Sequence, residues 1–284
     1  MVDLIVKFSH SLKKMNNKKY LNWKLKISFK YLLRGNLYYF LRYLLNEINY
    51  WRHVEFAYVY EKIDSKGKKI LDISSAKAFA FFLAENNKVE SVDIWEKEID
   101  RCKKSEIILN DKKISSNLNL QVADARRLPY PDNYFDYIYS ISVIEHIKEE
   151  GDSIVIKEME RVLKKGGKCI LTMPYNFLGY NVFRKEDVYK NKFTNKKMFF
   201  ERKYDLNTAR YRIIDKTKLK LINLELYKEK YPFQERTRKL NRVHILNKFL
   251  IIIRAAMGFI NFQKVPMKKR NSIKNGIICL TFKK

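Results

Sequence analysis

Three aspartates and one turn of small residues carry the clearest chemistry in this sequence. Asp72 stands in the apolar run "KILDI", Asp93 closes "VESVD", and Asp124 follows "LNLQVA". Asp93 lies 21 positions after Asp72, close to the interval of about 20 residues between a nucleotide-binding turn and the carboxylate that holds a ribose. A carboxylate suits a vicinal diol because it offers two acceptor oxygens in one plane. A single aspartate at a strand end is usually a turn or helix cap, whereas three in register point to a ligand. Between Asp72 and the next apolar run, Ser74, Ser75, Ala76, Lys77 and Ala78 stand where a nucleoside-binding turn would read Gly-x-Gly-x-Gly. The chain has only 8 glycines in 284 residues, so part of that loss is compositional. Further on, Glu145-His146 offers an imidazole that could act as a general base.

These residues need a scaffold, and the chain between 69 and 175 supplies an alternating one. A strand over 69–73 precedes a helix over 77–87. "VESVDIW" is a strand and 96–110 a helix. "LNLQVAD" leads through "RRLPYPDNY" to the strand "FDYIYSIS". The helix "IVIKEMERVLKK" is expected to end on Gly166-Gly167 as a C-cap, and "KCILTMP" is again a strand. "LKLINLELYKEKY" and "GIICLTFKK" add two more. Strands and helices alternating at this spacing predict a doubly wound, mostly parallel α/β sheet of seven strands. Ligands in such sheets bind beyond the carboxyl ends of the strands, where the three aspartates fall. At the N-terminus, Phe29, Leu32, Leu33, Leu37, Phe40, Leu41, Leu44, Leu45, Ile48 and Trp51 recur at helical spacing. Residues 29–51 therefore read as one amphipathic helix packing on the domain, with Arg34, Arg42 and Asn46 on its other face.

Composition excludes several classes. A hydrophobic content of 46% supports a buried core and excludes a disordered chain. Cys102, Cys169 and Cys279 are far apart and odd in number, which fits buried thiols in a reducing cytoplasm rather than a disulfide framework or zinc site. "LIV" near the start is too short for the apolar centre of a signal peptide. "FLIIIRAAMGFINF" is short for a membrane span and carries Arg254. The net charge of +28 is unevenly spread: +9 over residues 1–68, −1 over 69–175 and +20 over 176–284. Two basic flanks around a neutral middle imply an anionic partner: a phospholipid surface, an acidic acceptor or nucleic acid.

The run "LPYPDNYFDYIYSISVIEHI" with "EMERVLKKGGKCILTMPY" resembles the class I S-adenosylmethionine-dependent methyltransferases, in the branch that carries "LPFPDNSFD" before its fourth strand. Fainter likeness through "RKYDLNTARYRIIDKTKLKLINLELY" to "GIICLTFKK" is similar to the methyltransferases of surface-glycan and lipid biosynthesis. The resemblance covers about 55–284 and implies a Rossmann-like fold with S-adenosylmethionine as cofactor. It leaves 1–54 as a basic, amphipathic helical extension and 175–218 as an acceptor-side insertion. It further implies that Asp72 with Ser74, Ser75 and Ala76 surrounds the amino-acid end of the cofactor. Asp93 would hold the ribose hydroxyls, Ile94 or Trp95 would lie against the adenine, Asp124 would accept from the adenine amine, and Ala125 would offer its amide. Ser140 and Ile141 would line the sulfonium side. The departure is the turn without glycines; this cofactor has no pyrophosphate to cradle, and serine and alanine are the smallest replacements.

In ubiquinone-type O-methyltransferases a Glu-x-x-Glu-His pattern binds a divalent metal. Here Ser142 holds the first position, so no metal is expected and His146 remains a weak catalytic candidate. The acceptor site is expected from 175–205 together with Tyr58 and Tyr60, and the acceptor from small molecules, glycans or lipid-linked glycans, methylated at oxygen. An RNA methyltransferase using the basic flanks is the alternative; it is disfavoured because "SISVIEHI" lacks the Asn/Asp-Pro-Pro-aromatic signature, though nucleic acid stays open as a partner. A cofactor-less binding protein is a third reading. The flanks, with the apolar run near Arg254, lead us to expect a cytoplasmic protein held peripherally at an anionic membrane face.

Overall fold

Continuous apolar runs build the centre of the molecule. The chain is described here by a computed structural model covering residues 17–46, 51–63, 65–187, 192–232 and 261–284. In chain order the helices are α1 (Asn17–Leu33), α2 (Leu37–Leu41), α3 (Arg52–Lys62), α4 (Lys77–Ala84), α5 (Glu96–Leu109), α6 (Lys112–Ser115), α7 (Gly151–Val162) and α8 (Leu206–Arg212). The strands are β1 (Lys69–Ile73), β2 (Lys88–Asp93), β3 (Leu118–Val122), β4 (Phe135–Ile141), β5 (Leu163–Tyr175), β6 (Tyr180–Asp187), β7 (Lys192–Lys203), β8 (Lys220–Glu229), β9 (Phe262–Val265) and β10 (Gly276–Lys283).

Eight strands form one sheet in the order β3-β2-β1-β4-β5-β10-β8-β9. The first five pair in parallel, and β10 runs antiparallel to both β5 and β8. Residues 70–73 of β1 and 276–282 of β10 are buried without interruption, as strands covered on both faces must be. One face carries the aromatic core of Phe56, Phe79, Phe82 and Tyr139, the other the aliphatic core of Val155, Met159, Leu171 and Leu280. Strand order reverses between β1 and β4, which sets the ligand crevice at their carboxyl ends.

The doubly wound α/β fold is as expected, with β9 added at the edge to make eight strands rather than seven. Two local expectations are overturned, and one element was not foreseen. Helix α7 ends at Val162, not on Gly166-Gly167, because Leu163 is already extended and enters β5. Gly166 takes φ +78°, which glycine adopts without side-chain penalty, and Gly167 passes so close to the Asp136 carbonyl that a Cβ would sit 2.9 Å from it; the first serves the turn of the backbone, the second strand packing. The segment 175–205 contains the β6–β7 hairpin, which alternation did not reveal.

The second overturned expectation concerns the N-terminus. The helix does not run from 29 to 51: α1 starts at Asn17 and stops at Leu33. Gly35 turns the chain at φ +69°, and the Asn36 side chain caps α2 by accepting from the Tyr39 amide. The inward stripe is Tyr20, Trp23, Ile27 and Tyr31, not the leucines. Tyr20 meets Phe56, Phe79 and Phe82 at ring distances of 5.2, 5.8 and 5.3 Å, so α1 lies across α3 and α4.

Candidate active site

The turn after β1 keeps its shape without glycine. Ser74 takes φ +52°, the left-handed region that an L-residue enters at a cost of about 1–2 kcal/mol, and its amide donates to the Val92 carbonyl at 2.8 Å. The Ser75 hydroxyl accepts from the Ile141 amide at 2.9 Å, tying the turn to β4. The Ser140 hydroxyl donates to the Ile73 carbonyl at 3.4 Å. Asp72 is fully buried and accepts from the Ser75 amide at 3.2 Å and the Ser91 hydroxyl at 2.6 Å.

Lys77 completes this arrangement. Its buried ammonium lies 3.2 Å from Asp72, 3.7 Å from Asp93 and 3.1 Å from the Val92 carbonyl. The residue opens α4, whose positive end disfavours a cation, so the two carboxylates are what hold it there. Sequence reasoning noted this lysine in the turn but gave it no role; its five-residue spacing from Asp72 across a turn carries no periodic signal.

Asp93 sits at the carboxyl end of β2, 9% exposed, with Oδ1 accepting from the Trp95 amide at 3.0 Å. Burial raises its carboxyl above the ordinary range, and Lys77 partly offsets this. The next two side chains, Ile94 and Trp95, are large, apolar and exposed at 40% and 37%. Asp124 is clamped by Arg126, whose Nε lies 3.0–3.1 Å from both carboxylate oxygens, and this holds its carboxyl below the usual range. Ala125 beside it is buried. The structure thus brings Asp72, residues 74–76, Asp93, Ser140 and Ile141 together around the ends of β1, β2 and β4.

A cleft of about 380 Å³ opens beside Ser142, lined by Arg52, Glu55, Glu145, His146, Arg184 and Tyr175 among others. Arg52 donates to the Ile141 carbonyl at 3.0 Å and to Glu55 at 2.8 Å. Glu55 in turn accepts from Thr172 at 2.9 Å and from Ser142. Helix α3 is thereby fastened across the ends of β4 and β5. The expectation for Tyr58 and Tyr60 is not met. Tyr58 points into the sheet, where its hydroxyl meets Thr281 at 2.8 Å, and Tyr60 packs on Phe82. The residues one and two turns earlier on α3 face the cleft instead. On the far side, Asp152 accepts from Arg202 at 2.8 Å, Tyr204 at 2.7 Å and Arg212 at 2.9 Å, which anchors the foot of the β6–β7 hairpin.

Two titratable groups of the cleft are displaced from their usual states. Burial, reinforced by the neighbouring Glu55 and Glu201, pushes the Glu145 carboxyl well above the ordinary range. Its Oε2 has no hydrogen-bond partner among the described residues. Burial lowers His146, against the opposing pull of the Phe200 carbonyl. That carbonyl lies 2.7 Å from Nδ1 and can only accept, so Nδ1 carries the proton and Nε2 keeps a free lone pair. Among the described residues no group of three or more His, Cys, Asp or Glu is placed to hold a metal ion.

This fold, with carboxylates at the ends of β1 and β2 and a cleft beyond β4, is similar to that of class I S-adenosylmethionine-dependent methyltransferases. Residues 71–171 match the family described as "Methyltransferase domain". Over 124 residues the chain is 31% identical to the ubiquinone/menaquinone biosynthesis C-methyltransferase UbiE of Shewanella sediminis; the match covers 42% of this chain and 47% of that protein. The chain thus spans about half the length of the curated relatives it matches. Among solved structures, a methyltransferase from Methanosarcina mazei aligns with a TM-score of 0.51 and 14% identity, covering 79% of this chain and 96% of that one. Coclaurine N-methyltransferase, solved with S-adenosylhomocysteine, aligns with a TM-score of 0.54 and 13% identity over 80% and 70%.

The Methanosarcina mazei neighbour is described as an S-adenosylmethionine-dependent methyltransferase, and the residues present here fit that cofactor. Asp93 offers acceptor oxygens at a strand end, next to two apolar side chains with no cover. The Ser74–Ala78 turn meets no diphosphate demand that would require glycine. Lys77 is spent inside the turn on Asp72 and Asp93.

Proposed function

We propose that this chain transfers a methyl group from S-adenosylmethionine to a hydroxyl of a small-molecule, glycan or lipid-linked acceptor. The observation that carries the reading is His146. A neutral imidazole with a free Nε2 lines a cleft that begins at Ser142, one residue beyond the strand end Ser140–Ile141 where the cofactor's sulfonium side is expected. Bound across β1, β2 and β4, the cofactor supplies an activated methyl group. Asp93 would hold the ribose hydroxyls, Ile94 and Trp95 the adenine face, Asp124 and the Ala125 amide its edge, and Asp72 with residues 74–76 the amino-acid end.

The chain's own contribution to the chemistry is alignment and a proton acceptor. Helix α3, through Arg52 and Glu55, and the β6–β7 hairpin, through Arg184 and Phe200, line the cleft that would hold the acceptor. For a hydroxyl acceptor, whose oxygen would take the methyl as the sulfonium–methyl bond breaks to a neutral thioether, His146 Nε2 would accept the released proton. Arg52 pairs with Glu55 and Lys203 with Glu201, and Arg184 stands with aromatic Trp51 and Tyr175; this mixed charged and aromatic lining suits a polar, hydroxyl-rich acceptor. A carbon acceptor, as the name of the UbiE relative records for that protein, would need the same proton removal.

Calorimetry with S-adenosylmethionine, followed by methyl transfer to anionic sugars and lipid-linked glycans, tests this. Saturable binding with transfer to a hydroxyl is expected. Binding without transfer to any acceptor class would favour a non-catalytic protein, and transfer to RNA alone would replace the acceptor named here.

A further inference from the structure

Helix α1 is apolar on two opposite sides. Its inward stripe packs on α3 and α4 as described, yet Leu25, Phe29, Leu32 and Leu33 recur at i, i+4, i+7 and i+8 on the outside, with Phe29 54% and Leu33 86% exposed. Across the Gly35 turn, Leu37 and Leu41 on α2 are exposed at 59% and 41%. The Phe29 and Phe40 rings meet at 5.9 Å, so the two helices share this surface. An amphipathic helix normally buries its one apolar stripe; a second, continuous and uncovered stripe of large side chains marks a contact surface.

Charge decides what covers it. Residues 4–46 contain 10 Lys or Arg and no Asp or Glu; on the two helices Lys24 is buried and Lys30 pairs with Asp111, while Lys19, Lys26 and Arg34 are exposed. A second copy of this chain would meet the surface with its own identical cationic rim. The chain's other flank, +20 over 176–284, carries the same sign. We propose that α1 and α2 form an interfacial hairpin that lays its leucines and Phe29 into an anionic lipid surface, with the cations around them against the headgroups. An apolar stripe inside a basic border is the combination such surfaces select, and long Lys and Arg stems reach headgroups while their carbon chains stay in apolar contact. No described helix is long and apolar enough to cross a membrane. The run "FLIIIRAAMGFINF", on which the sequence reading placed this role, falls outside the described residues except for its last two. None of the hairpin residues lines the cleft, so this proposal and the methyl-transfer reading stand or fall separately.

The test is co-sedimentation of the full chain with phosphatidylglycerol/phosphatidylcholine vesicles and with phosphatidylcholine vesicles alone, at low and physiological salt. The comparison is the triple variant Phe29→Ser, Leu33→Ser, Leu37→Ser; these side chains are exposed, and an unchanged melting curve would show that the fold is kept. The parent is expected to pellet with the anionic vesicles at both salt concentrations and to stay in solution with the neutral ones. The variant should partition about tenfold more weakly or worse at physiological salt, where charge alone is screened. Equal partitioning of parent and variant would overturn the proposal, as would a parent that ignores anionic vesicles. A parent that is a stable dimer, dissociated by the triple substitution, would assign the surface to a second copy instead.

Discussion

The Lys77 ammonium lies 3.2 Å from the Asp72 carboxylate, and both side chains are shut away from water. Removing the cation strands a carboxylate in the core. Lys77→Met should therefore lower stability by about 3–5 kcal/mol, the penalty for breaking a buried pair. Adding Asp72→Asn should return a large part of the loss, because the amide needs no counter-charge. Denaturant unfolding of the two single variants and the double gives the coupling directly; purely additive losses would mean that the pair is not what holds the turn.

Asp93 is the strand-end acid that still has ligand-binding capacity. Asp93→Ala is expected to weaken S-adenosylmethionine binding by about 1–3 kcal/mol, the size of lost charged hydrogen bonds. Titration calorimetry checks it, and an unchanged dissociation constant would remove Asp93 from the ribose role.

Ser74 is held at φ +52°, where glycine has no side-chain penalty. Ser74→Gly should stabilise the fold by up to about 1 kcal/mol or leave it unchanged, since relief of strain competes with the greater freedom of glycine in the unfolded chain. Thermal unfolding reads the sign. A loss above that size would show that the hydroxyl matters more than the backbone geometry.

The cleft makes two opposite demands on pH. Glu145 binds its proton more tightly folded than unfolded, so its contribution is present below the ordinary glutamate value of 4.5 and is lost as pH rises above it. Glu145→Gln should raise the melting temperature by a few degrees at neutral pH, with a gain that shrinks on acidification. His146 binds its proton less tightly folded than unfolded, so its contribution is complete above 6.5 and is lost as pH falls through the lowered value. If it is the base, the acid limb of the rate profile falls below 6.5, and His146→Asn abolishes that limb. A limb unmoved by the substitution would point to another group.

Much of the core architecture could be read from the residues in order. Apolar runs such as "ILDI" and "GIICLTF" fix strands by length and composition, and a carboxylate at a strand end is visible wherever the run stops. The bridges that build the cleft could not be read this way. Glu55 reaches Ser142 and Thr172 across 87 and 117 positions, and the expected boundary between residues 54 and 55 cuts through the helix that carries it. The N-terminal helix misled for a different reason. With apolar residues on two sides, spacing alone cannot say which side is buried. Tyr20 meets Phe56 of α3, Trp23 meets Phe82 of α4 and Tyr31 bonds to Ser105 of α5, whereas the leucines on the other side stay exposed.

The position of β10 sets the order in which this sheet can be finished. Strands β8 and β9 are made earlier, yet they join β5 only through β10, which lies between them and pairs with both neighbours over its full length. Until residues 276–283 have been synthesised, the growing chain has two unjoined β-edges, those of β5 and β8, each able to pair with another molecule. Closure then requires contacts across more than a hundred positions on the β5 side, a slow step for a chain of this topology. Cells producing this protein should need chaperone cover until β10 has been made. A chain cut before residue 276 should aggregate, even though every residue of the cofactor site would still be present.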